Sequence, residues 1–196
     1  MAVTPGRESL SFSGAVLAGG RSRRFGRDKA VTPFRGKPLL EWVLISLRDA
    51  EETFIVANRP YPLFELDTYR DLIVTGSSLS GVHTALVKAQ NDWVAVAACD
   101  LPNLTPAFWQ LLASRAGPQQ AVMLEHPDGK LEPLAALYHK RALQTVEAKL
   151  ETGRYSLHEL AHSLDTHFVP AEQASMLLGP LGLVNVNRPE DLDETE

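Results

Sequence analysis

The segment Leu17-Ala18-Gly19-Gly20-Arg21-Ser22-Arg23-Arg24-Phe25-Gly26-Arg27-Asp28-Lys29 combines paired glycines with a run of cations. Glycines let backbone N–H groups come close to an anion. Arginines and a lysine supply the charge that a polyphosphate needs. Seven cations lie between Gly20 and Lys37 against the single anion Asp28, a local excess of +6 in a chain of net charge −5. That pattern points to a local anion site and sets aside a general nucleic-acid binder. Gly20 and Gly26 are followed by Arg27-Asp28, so this is no Walker A loop, and the absence of G-x-G-x-x-G argues against a dinucleotide fold.

Three further constellations carry possible chemistry. Asp100 follows the apolar run Trp93–Ala98 after one residue, Cys99, so it projects at a strand end, where a carboxylate can hold Mg²⁺ or cap the following loop. Its neighbour Cys99 has no activating partner in the sequence and reads as a small buried thiol. Asn185 and Asn187 alternate with Val184 and Val186, which puts both amides on one face of a strand or makes them turn formers. His158-Glu159-Leu160-Ala161-His162 fits the zinc hydrolase pattern H-E-x-x-H. There, however, Glu159 is the expected reciprocal partner of Ser156 in a capping box. Asp165 and Phe168 stand where an extended zinc motif needs Gly and His, so zinc hydrolysis through His158 and His162 is the least favoured reading.

The elements that must position these residues follow from periodicity. Ser11–Ala18, Thr53–Ala57, Leu72–Thr75 and Trp93–Ala98 read as buried strands, and Trp93–Ala98 as a central parallel one. Leu39, Leu40, Val43, Leu44 and Leu47 form one apolar helical face behind Pro38. Helices are also expected near Gly81–Ala89, from Thr105-Pro106, over residues 139–152 up to Gly153, from Ser156, and at Pro189–Leu192. Ala121–Glu125 and Leu131–Tyr138 read as strands joined through Asp128-Gly129, and Gly182–Val186 as a last strand. Alternating strands and helices predict right-handed βαβ units. The expected fold is α/β: one Rossmann-like, three-layer domain over residues 1–196 (core about 12–193), with a mainly parallel sheet and helices on both faces.

Composition is ordinary for a globular chain, with 44% hydrophobic and 22% charged residues. The single cysteine suits a reducing compartment. Met1–Leu10 shows no apolar core of a secretion signal, and no apolar run approaches the ~18 residues of a membrane span. The expected location is the cytoplasm, with neither membrane nor nucleic acid as a partner.

L-A-G-G-x-S-x-R-x-G-x-D-K resembles the phosphate loop of the molybdenum cofactor guanylyltransferases, which share the nucleotide-diphospho-sugar transferase type of fold. Gly36-Lys37-Pro38-Leu39, Asn58-Arg59, Cys99-Asp100-Leu101-Pro102 and Val184 through Leu192 also align in order, over roughly residues 14–193. The resemblance implies transfer of GMP from GTP to molybdenum-loaded molybdopterin, with release of pyrophosphate. It implies nucleotide contacts at Leu17, Ala18, Gly19, Gly20, Arg21, Lys29 and Asn58, and charge stabilisation by Arg24 and Lys29. Asp100 would bind Mg²⁺, and Asn185 and Asn187 would face the pterin phosphate or the metal. Proteins that deliver molybdopterin are the implied partners. The chain departs from the family in three places. Val56 replaces the first Asn of Asn-x-Asn-Arg, Val74–Gly81 lacks an acidic residue before a shortened glycine segment, and Arg188 replaces a capping threonine. A cytidylyl- or sugar-phosphate nucleotidyltransferase and a degenerate nucleotide-binding module are the alternatives.

Overall fold

The computed structural model describes residues 10–19, 28–179, 181–186 and 191. Nine strands are found among them: β1 (Phe12–Leu17), β2 (Pro33–Phe34), β3 (Lys37–Pro38), β4 (Glu52–Val56), β5 (Thr68–Tyr69), β6 (Trp93–Ala98), β7 (Ala121–Glu125), β8 (Leu131–His139) and β9 (Thr166–Pro170). The helices are α1 (Leu39–Ser46), α2 (Ser78–Lys88), α3 (Pro106–Ala113), α4 (Leu143–Glu151), α5 (Leu157–Ser163) and α6 (Ala171–Leu178). Seven strands form one sheet in the order β5-β4-β1-β6-β8-β7-β9. Only the β6–β8 and β7–β8 pairings are antiparallel. β2 and β3 make a separate hairpin.

The all-apolar strands sit at the centre because both sheet faces are covered. Along β6, Ala95 and Ala97 face a core shared with Leu40 and Val43 of α1 and Phe108 and Leu112 of α3. Val94 and Val96 face the opposite core, with Val82, Ala85 and Leu86 of α2 and Val146 and Leu150 of α4. These are the three layers that the sequence predicts. Caps also fall where expected: the Thr105 hydroxyl accepts from Phe108 N at the start of α3, and the Ser156 hydroxyl from Glu159 N at the start of α5. The second half of the expected capping box is replaced, because the Glu159 carboxylate lies 3.2 Å from Arg154 Nη2.

Several expectations are corrected. Leu72–Thr75 is no strand: Leu72 is 49% and Val74 77% exposed. The sheet edge is taken instead by Thr68–Tyr69, whose tyrosine ring packs edge-on against Phe54 at 5.5 Å. Gly182–Val186 joins no sheet; it is a turn and an extended strap, with Val184 N bonded to Leu181 O and Val186 N to Asp100 O. The helix expected over 139–152 starts later, because His139 closes β8 and a 3-10 turn over Lys140–Ala142 precedes α4. β9 and α6 have no counterpart among the expected elements, and the expected helix at 189–192 lies largely outside the described residues.

Candidate active site

β1, β4 and β6 run parallel and end together, so the loops after them converge on one edge of the sheet. Ligands of open α/β sheets bind at such a carboxyl edge. Leu17 and Ala18 leave β1 tied on both sides: Leu17 O accepts Cys99 N at 3.1 Å, and Ala18 N donates to Val56 O at 2.9 Å. Gly19 follows, exposed, and a Cβ built there meets no described atom within 4 Å. Its missing side chain is therefore not required by packing against the described residues.

Asp100 stands where β6 ends, and its Oδ2 lies 2.9 Å from Lys29 Nζ, both side chains less than a fifth exposed. Asn185 Nδ2 approaches the same oxygen at 3.5 Å. Asp100 Oδ1 is buried and takes no hydrogen bond among the described residues. Burying a carboxylate oxygen unpaired is costly, so this atom is suited to a cation that the protein itself does not supply. Asn185 is placed by the strap: Val186 is fully buried against Phe34 and Leu39, and the Val186 amide donates to Asp100 O at 3.0 Å. The structure thus brings Lys29, Asp100 and Asn185 together, from positions 71 and 85 residues apart in the chain. Gly20, Arg21, Arg24 and Asn187 lie outside the described residues.

Asn58, just past β4, is paired in a way the sequence did not reveal. Its Nδ2 donates to Asp71 Oδ2 at 2.8 Å, and Asp71 N donates to its Oδ1 at 3.3 Å. Asp71 supplies an acid on this flank, three residues before the segment Val74–Gly81. Val56 is a core residue, registered against Leu17 and 2% exposed, so it offers nothing to a ligand.

Tyr61 is the other residue that sequence reasoning overlooked. Its hydroxyl lies 3.3 Å from Ala18 O and 3.1 Å from Asp28 Oδ1. One hydroxyl thus ties the residue before the glycines to the residue after the cationic run. Burial, and then the Asp28 charge, raise its pKa, so it stays a neutral donor. Arg59 holds the other Asp28 oxygen at 3.1 Å. Ala18 and Asp28, the two described ends of the cationic segment, are therefore both anchored on the segment after β4. The signal available in the sequence was a buried-type aromatic set among Pro60 and Pro62, which does not by itself reveal its partner.

Cys99 is not a nucleophile. Burial first, and the adjacent Asp100 carboxylate second, push its thiol up to about 12, and the thiolate is the reactive form. His158 and His162 stack edge-on at 4.6 Å on α5, both exposed. Among the described residues no group of three or more His, Cys, Asp or Glu could hold a metal. α5 leads into Thr166, which pairs with Ala121 at the start of β7, the sheet edge opposite Asp100.

Gly19 after β1 and Asp100 after β6, at the carboxyl edge of a mainly parallel sheet, are placed as in a nucleotide-binding α/β protein. Residues 14–167 match the MobA-like NTP transferase domain, and the chain belongs to that family. It is 36% identical over 189 residues to a probable molybdenum cofactor guanylyltransferase of Deinococcus radiodurans, covering 94% of each chain. Over 189 residues it is 30% identical to the molybdenum cofactor guanylyltransferase of Aliivibrio salmonicida, covering 91% of this chain and 92% of that one. Among solved structures it is similar to molybdopterin-guanine dinucleotide biosynthesis protein A of Archaeoglobus fulgidus, with a TM-score of 0.78 and 27% identity over 94% of this chain and 96% of that one.

Proposed function

We propose that this chain transfers GMP from GTP to molybdenum-loaded molybdopterin. A terminal phosphate oxygen of the pterin attacks the α-phosphorus of GTP, the bond from that phosphorus to the β-bridging oxygen breaks, and pyrophosphate leaves. Catalysis of such a step is positioning and neutralisation of charge, since the protein forms no covalent bond. The observation that carries the reading is the Lys29–Asp100 pair with its buried, unpartnered Asp100 Oδ1, set beside the exposed Gly19 at the carboxyl edge. The full-length similarity to molybdenum cofactor guanylyltransferases supports the choice of nucleotide and acceptor.

Backbone N–H groups at Gly19 and Gly20 cradle the triphosphate, and Arg24 and Lys29 balance charge on the α-phosphate and the leaving pyrophosphate. Asn58 and Asp71 flank the nucleoside side. Asp100 would hold Mg²⁺, a cation that takes one or two carboxylates and fills its remaining positions with phosphate oxygens and water. When bound, that ion withdraws charge from the phosphates. Asn185 holds the Asp100 carboxylate in place. The whole chain acts as one domain in the cytoplasm. No helix among the described residues is long and apolar enough to cross a membrane. Proteins that deliver molybdopterin remain partners of this proposal.

Pyrophosphate release, measured with GTP or CTP in the presence and absence of molybdopterin and Mg²⁺, tests the reading. GTP with molybdopterin should release pyrophosphate, and CTP should not. Binding of GTP with no release under any condition would make the chain a nucleotide-binding module, and preferred use of CTP would make it a cytidylyltransferase.

A further inference from the structure

The carboxyl edge has a second flank. β8 runs antiparallel beside β6, with Ala135 opposite Ala97, so the start of β8 lies next to the end of β6. Along that edge the sheet order gives Asn58 and Asp71 beyond β4, Gly19 after β1, Asp100 after β6, and then the β7–β8 turn. That turn is firmly closed. His126 N donates to Lys130 O at 2.8 Å, Gly129 N to His126 O at 2.8 Å, and Lys130 N to Asp128 Oδ1 at 3.0 Å. Gly129 has φ +80, the left-handed conformation that a tight turn of this kind requires. Against this turn lies Glu132, 7% exposed. His126 Nε2 sits 3.0 Å and Lys130 Nζ 2.7 Å from the same oxygen, Oε1. Oε2 takes no hydrogen bond from a described residue.

A carboxylate at this depth is expensive to desolvate. The turn does not need it, being closed by its own backbone and by Asp128. The Lys130–Glu132 pair is half-buried, with side chains 60% and 9% exposed. What the arrangement does provide is an oriented acceptor: the Lys130 ammonium and the His126 imidazole both hold Oε1, and Oε2 takes no hydrogen bond from a described residue.

We propose that Glu132 binds the 2-amino-4-oxopyrimidine edge of the acceptor's pterin, with Oε2 accepting from its ring N–H and exocyclic amine. The inference rests on the acceptor assigned above. The two substrates must meet end to end at the α-phosphorus. Asn58 and Asp71 occupy the β4 flank, so the β8 flank, across Asp100, is the remaining place for the second heterocycle. Guanine carries the same donor edge as a pterin, and the test separates the two sources.

Glu132→Gln preserves size and removes the charge. A hydrogen bond to a charged group lost in this way should raise the molybdopterin KM about ten- to 100-fold. The dissociation constant of GTP, read by calorimetry, and the melting temperature should stay as in the parent. Glu132→Asp, which keeps the charge but withdraws it by one methylene, should show the same split and serves if the glutamine variant folds poorly. A second readout needs no turnover: fluorescence titration with 6-carboxypterin should show binding by the parent that weakens equally in both variants. Pterin binding without transfer would sink the proposed reaction and leave this site standing. Weakened GTP binding with an unchanged pterin titration would assign the site to guanine and overturn the proposal. So would a joint rise of both constants with a fall in melting temperature, the mark of a structural latch, or no binding of 6-carboxypterin by the parent.

Discussion

Gly19→Ala separates folding from nucleotide recognition more cleanly than any other change at this site. The added methyl meets no described atom within 4 Å, and the glycine is not in the left-handed region. Alanine is therefore accommodated without strain, and the reduced freedom of the unfolded chain stabilises by about 0.4–1 kcal/mol. For a chain of this size that corresponds to a rise in melting temperature of about 1–4 °C. The same methyl projects into the space through which a purine edge would reach the backbone at residues 18–20. Losing a hydrogen-bonded base edge costs ~1–3 kcal/mol, about five- to 150-fold in affinity. Asn58 and Asp71 lie on a neighbouring loop and are untouched by the change, which argues for the lower part of that range. Thermal unfolding with calorimetric titration of GTP and of CTP, both with Mg²⁺, gives the two numbers side by side. The parent should prefer GTP, and the variant should melt no lower, bind GTP more weakly and show a smaller preference over CTP. A melting temperature several degrees lower, or equal losses for both nucleotides, would show that the space beside Gly19 is not the one a purine edge uses.

Other consequences can be checked with the same preparations. Asp100→Asn removes the charge beside Lys29 without changing size, and should cut pyrophosphate release by about 100-fold or more while the protein remains folded; a full rate at ordinary Mg²⁺ would remove Asp100 from the site. Tyr61→Phe deletes the hydroxyl between Ala18 and Asp28, a loss of about 1 kcal/mol. It should raise the KM for GTP with little change in acceptor KM, and equal effects on both would mean the tie serves the fold alone. Burial first, and Arg141 second, hold the His139 imidazole below its ordinary value of 6.5. Its neutral Nδ1 accepts Arg141 N at 3.0 Å. The unfolded chain takes up the proton first, so this contribution is complete above 6.5 and is lost as pH falls from there through the lower folded value. His139→Asn keeps an acceptor at that turn but does not titrate, so its melting temperature should fall less than the parent's across this acidic range. Parallel pH profiles for the two proteins would refute that origin.

The order of elements and the position of the reacting edge were legible in the sequence because they depend on local signals. An unbroken apolar run, Trp93–Ala98, can only be a strand covered on both faces, and whatever follows it must emerge at the sheet edge; Asp100 was placed by that alone. Thr105 and Ser156 announced their helices because a cap bonds within its own turn. The last strand failed for the same reason in reverse: Val184 and Val186 alternate as a strand would, but no neighbouring strand was left to pair with them. Leu72–Val74 also looked like a strand, while the sheet edge went to Tyr69 because its ring had Phe54 to pack against. Only the tertiary structure decided which side chains meet. Lys29 reaches Asp100, Asn58 binds Asp71, Tyr61 spans Ala18 and Asp28, and Glu132 gathers Lys130 and His126 at the second flank. These pairings follow from strand register and from how each loop turns at the edge. Those depend on the packing of both layers of helices at once, and no local pattern along the chain encodes them.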